Sequence, residues 1–75
     1  MKPNEILQTI LDDKGMTHVQ LAKATGVASQ TIDKRCAGLA VMRVDTLCRM
    51  YGAVGYKLVA APIDGDGAEY EVTLR

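Results

Sequence analysis

Few side chains in this sequence can do chemistry: a single histidine, His18, two cysteines, Cys36 and Cys48, and nine acids balanced by nine Lys/Arg. Their spacing argues against most catalytic and metal chemistry. No Ser/His/Asp or Cys/His set, glycine-rich phosphate loop or carboxylate pair has supporting context, so no enzyme is expected. Two Cys and one His do not make a standard four-ligand zinc site. Asp64 and Asp66 start like a calcium loop, but Ala68 and Glu69 stand where a further ligand and a glycine belong. That segment reads as a turn, and no metal or cofactor is expected. Binding chemistry remains. Thr17 and His18 open a helix, where unpaired backbone N–H groups and the helix dipole favour an anion such as phosphate.

The elements that must position these groups follow from periodicity. Between Thr17 and Gly38 two short amphipathic helices meet at Gly26-Val27, with Leu21, Ala22, Val27 and Ile32 spaced to pack together. Two helices joined by a tight glycine-containing turn form a helix-turn-helix pattern, whose second helix can enter the major groove of DNA. Before it, Asn4 is placed to cap a first helix running to about Lys14, with Ile6, Leu7, Ile10 and Leu11 in one stripe and Gly15 as its stop. Thr17 with Gln20 has the spacing of a capping box. The third helix opens at Ala28 or Ser29 and runs to about Ala37. The fourth spans Arg43 to about Val54, with Val44, Leu47, Cys48, Tyr51 and Val54 on its apolar face. Gly52 inside it costs roughly 1 kcal/mol relative to Ala, so either a close helix contact demands it or the helix ends early.

From Tyr56 the period changes to two. Tyr56, Leu58 and Ala60 alternate with Lys57, Val59 and Ala61; Tyr70, Val72 and Leu74 alternate with Glu69, Glu71, Thr73 and Arg75. Asp64-Gly-Asp-Gly67 between them is turn chemistry. The expected fold is mainly α, a bundle of four helices with a C-terminal β-hairpin: residues 1–55 as the binding unit, and residues 56–75 as a hairpin of the same domain.

Seventy-five residues make one domain near the lower limit for a self-sufficient core. The two cysteines suit reduced core thiols in a cytoplasmic chain, and neither a secretory leader nor a membrane-spanning run is visible. Net charge is zero but unevenly spread. Residues 1–57 hold eight Lys/Arg against five acids, whereas residues 58–75 hold Arg75 against Asp64, Asp66, Glu69 and Glu71. A mildly basic helical body with an acidic end fits a DNA binder, and fits ordinary solvated surface equally.

Residues 16–55 resemble the Xre/Cro/λ-repressor-like family of helix-turn-helix regulators. The resemblance rests on Met-Thr, Leu-Ala, Gly-Val and Thr-Ile at ungapped spacing, then Gly38, then a helix centred on Leu47 and ending at Gly55. The strand entered through Gly55-Tyr-Lys-Leu-Val-Ala-Ala-Pro62 is similar to small members that include antitoxins and phage Cro-like repressors. Two departures stand out: His18 replaces a usual Gln, and Arg35-Cys36 replace an aromatic or aliphatic residue followed by Glu. The resemblance implies a λ-repressor-like bundle acting on double-stranded DNA in the nucleoid. Ser29, Gln30, Asp33 and Lys34 would then face base edges. A Gln amide matches adenine N6 and N7, a Lys ammonium guanine O6 and N7, and an Asp carboxylate cytosine N4. Thr17, His18, Arg35 and Arg43 would contact phosphate; protonation of His18 would then raise affinity below about pH 6.5.

Two strands alone are marginal in water and leave open edges. Tyr70, Val72 and Leu74 are therefore expected either to pack on the helices or to pair with a symmetry mate in a homodimer. Such a dimer would place two third helices about 34 Å apart, in successive grooves of a palindromic site, as a repressor does. An antitoxin binding DNA and a toxin protein is the alternative, and a protein-interaction module without DNA binding is the third reading.

Overall fold

A computed structural model describes residues 1–73. Four helices precede two short strands: α1 (Pro3–Lys14), α2 (His18–Thr25), α3 (Ser29–Cys36), α4 (Val44–Ala53), β1 (Leu58–Ala60) and β2 (Tyr70–Val72). The expected α-rich bundle with a C-terminal antiparallel hairpin is present.

The helix starts differ from expectation at α4, where Arg43 is the cap residue and not the first helical one, and more consequentially at α1. Asn4 does not cap α1. Lys2 is the cap residue and Pro3 occupies the first turn, where proline's fixed φ suits a helix and its missing N–H removes a donor that would lack a partner. Asn4 therefore falls inside the helix, and its amide donates instead to the Cys36 carbonyl at 3.4 Å, tying α1 to the end of α3. The Thr17 capping box forms in full: the Gln20 N–H donates to Thr17 Oγ1 at 3.1 Å, and the Thr17 N–H to Gln20 Oε1 at 2.8 Å.

Three helices end alike. After α1, the Gly15 and Met16 N–H groups reach back to the Asp12 and Leu11 carbonyls. Gly38 with Leu39 and Gly55 with Tyr56 repeat that pair of bonds after α3 and α4. This Schellman closure needs a left-handed residue, which glycine adopts without a Cβ clash. Gly52 needs no such freedom. A Cβ there would meet nothing within 4 Å and its φ is not positive, so of the two explanations the close contact is absent; α4 ends one residue later, at Ala53.

All four helices feed one core: Leu7, Ile10 and Leu11 from α1, Leu21 from α2, Ile32 from α3, and Leu47, Met50, Tyr51 and the adjoining Val54 from α4. Ala22 and Val27 pack against it from the side, as the spacing predicts, and so does Cys36. Val44 does not belong to the apolar face assigned to it; at the first position of α4 it is 61% exposed. Tyr51 is buried but not orphaned, since its hydroxyl donates to the Pro3 carbonyl at 3.0 Å. Burial pushes its phenol above the ordinary value.

The strands are shorter than the alternation suggests, three residues each, paired Leu58 to Val72, Val59 to Glu71 and Ala60 to Tyr70. The loop between them turns at Pro62–Gly65, where the Gly65 N–H reaches the Pro62 carbonyl and Asp64 Oδ1 accepts from the Asp66 N–H. Leu58 packs on the helical core, and the Cys48 thiol donates to the Val72 carbonyl at 3.6 Å. Those two contacts fasten the base of the hairpin, while Tyr70 at its far end remains 69% exposed.

Candidate functional site

The Gly26-Val27-Ala28 turn joins α2 to α3 and is held locally. Thr25 Oγ1 donates to the Leu21 carbonyl and accepts from the Val27 N–H, while the Gly26 N–H bonds to the Ala22 carbonyl. With Leu21 and Ile32 buried on facing sides, α3 has one face in the core and the other outward. The outward face carries Gln30, Asp33 and Lys34, all exposed, with Ser29 half-buried at its start. These are the four residues expected to face base edges; three of them share open surface.

The phosphate candidates scatter more widely. Thr17 is exposed, with its hydroxyl and N–H both committed to the capping box. Arg43 is exposed beside Asp45, with Nε 3.3 Å from the carboxylate. The Asp45 carboxyl is held below its ordinary value by the Thr46 N–H first, and then by the Arg43 and Arg49 charges. Arg35 is half-buried, with its Nε enclosed and without a hydrogen-bond partner among the described residues. Its stem therefore lies along the protein, where long basic side chains often cover apolar surface.

His18 departs most from a free anion-binding group. Its Nδ1 lies 2.5 Å from Asp33 Oδ1 and its Nε2 lies 2.8 Å from Gln8 Oε1. The Gln8 amide is itself oriented, because its Nε2 donates to Asp12 Oδ1 at 2.8 Å. Gln8 Oε1 and the Asp33 carboxylate are both acceptors, and each faces one of the two ring nitrogens of His18. His18 thus links α1, α2 and α3, and the anion it meets is the protein's own. Nearby on α3, the Cys36 thiol is pushed above its ordinary value by burial first and by the Asp33 and Asp12 carboxylates next.

Gln8 and Asp12 were not singled out by sequence. Their i, i+4 spacing on a helix was a readable signal for a side-chain hydrogen bond; the link to His18 and Asp33 depends on how three helices pack. Of the hairpin residues expected to seek a partner, Tyr70 is open, Val72 is half-buried at the fastened end, and Leu74 lies outside the described residues.

Comparison of the chain with protein-family models, curated proteins and solved structures finds no match. The function therefore has to be argued from the α3 face itself. Among the described residues no helix is long and apolar enough to cross a membrane.

Proposed function

We propose that this chain is a sequence-specific double-stranded DNA-binding regulator, a repressor acting as a homodimer and presenting α3 to the major groove. The observation that carries the reading is the outward face of α3. Gln30 and Lys34 stand exposed on a short helix whose opposite side is anchored by Ile32, directly after a three-residue turn from α2. A rigid helix with a polar face, short enough to lie in a groove, suits base readout. Exposed Arg43 and Lys34 supply positive charge on or near that helix for phosphate contact.

The dimer rests on the hairpin. A two-stranded sheet of three-residue strands exposes Val59 and Tyr70. Beside β1, an open groove of about 430 Å³ is lined by Ile6, Ile10, Tyr56 and Leu58. An apolar edge of this kind favours pairing with a second copy, and a twofold axis there would double α3 for a palindromic site.

The test is retention of duplex fragments across a salt series. The logarithm of affinity falls linearly with the logarithm of salt concentration, and Lys34→Ala either flattens that slope by about one unit or relaxes sequence preference at one position. Fragments that are not retained even at low salt would remove the reading.

A further inference from the structure

The link between His18 and Asp33 bears on the same face of α3, and the inference drawn from it rests on the DNA-binding reading. Asp33 lies three residues after Gln30 and beside Lys34, with its side chain 59% exposed. Left free, its carboxylate would stand among the groups that meet the duplex and would repel phosphate. It is not free. The imidazole of His18, itself only 27% exposed, accompanies it and is braced from behind by Gln8 and, through Gln8, by Asp12. The ionisable groups facing this cluster are Asp12 from α1 and Asp33 and Cys36 from α3. The two carboxylates flank His18, directly or through Gln8.

We propose that His18 is a positioning residue for the DNA-facing side of α3. It holds Asp33 in place, so that affinity for a polyanion depends on the His18–Asp33 pair rather than on contact between His18 and phosphate. In this arrangement base readout falls to Gln30 and Lys34, with Asp33 withheld from cytosine.

The test is a double-substitution cycle on the full chain, with a labelled mixed-sequence duplex of roughly two helical turns as probe. Circular dichroism first establishes that each variant keeps its helix content. His18→Ala is expected to weaken binding about three- to tenfold, the size of coupling between contacting groups. In an Asp33→Asn background the same change is expected to have no effect. Equal losses from His18→Ala in both backgrounds point to direct phosphate contact or plain packing and overturn the inference. Failure of the unsubstituted chain to bind the duplex overturns the DNA-binding reading as well, whereas binding without coupling overturns the role of His18 alone.

Discussion

The helical body and the hairpin are built on different terms. Among the described residues, every buried core residue lies between Leu7 and Val54, with all four helices contributing, whereas the hairpin strands contribute half-buried Leu58 and Val72 at their base. Four amphipathic helices can bury one another's apolar stripes and so need no outside surface. Two three-residue strands cannot, because one face and both edges of so small a sheet stay open. Specificity of fold therefore resides in the helices, and the surplus apolar surface at the sheet end is available to a partner.

This contrast can be broken or sharpened by substitution. The largest effect is expected at Leu21, fully buried between α2 and the rest of the core. Leu21→Ala should cost about 2–5 kcal/mol, enough in so small a domain to leave much of the chain unfolded in a urea titration. A loss below about 1 kcal/mol would show that the helical body is not the cooperative unit. At the hairpin tip, Tyr70→Lys should leave monomer stability within about 0.5 kcal/mol, as at other open surface positions, while shifting a dimer toward monomer in sedimentation velocity. A large fall in melting temperature without change of mass would move the hairpin into the core.

Smaller effects test the helix ends. Thr17→Ala removes the hydroxyl that accepts from the Gln20 N–H and should cost about 1 kcal/mol, read as a lower denaturant midpoint at unchanged slope. Gly52→Ala should do the reverse, raising stability by roughly 0.5–1 kcal/mol, because a Cβ at that position meets only open space. The smallest concerns Asp45, whose carboxyl is held below its ordinary value by the Thr46 N–H and then by Arg43 and Arg49. A lowered folded-state value stabilises above the ordinary carboxyl range, near pH 4, and the benefit is lost as pH falls through the folded value. Asp45→Asn should therefore lower the melting temperature slightly at neutral pH and not at all in strong acid; the group is fully exposed, so a large difference at either pH would contradict the assignment.

Much of this was legible in the chain. Leu7, Ile10, Leu11, Leu21, Ile32 and Leu47 announce themselves by helical spacing, and Thr17 with Gln20 marks a helix start by types alone. Gly15, Gly26, Gly38 and Gly55 mark where helices stop, since few other residues adopt the left-handed closure. Asn4 misled because proline at the preceding position outcompeted it for the first turn. Val44 misled because periodicity places a residue on a face but does not say whether the first turn reaches the core.

Sequence alone therefore settled much of what is local: where helices stop at glycine, which stripe of each is apolar, and where the period changes to two. Those features depend on bonds and steric limits among residues a few positions apart. Tertiary packing alone decided that Gln8 from α1 and Asp33 from α3 meet on opposite sides of the His18 ring, that Cys48 holds Val72, and that Tyr70 stays open. Each of these depends on the angle and depth at which separate helices pack, a quantity set by the whole core at once and carried by no single stretch of the chain.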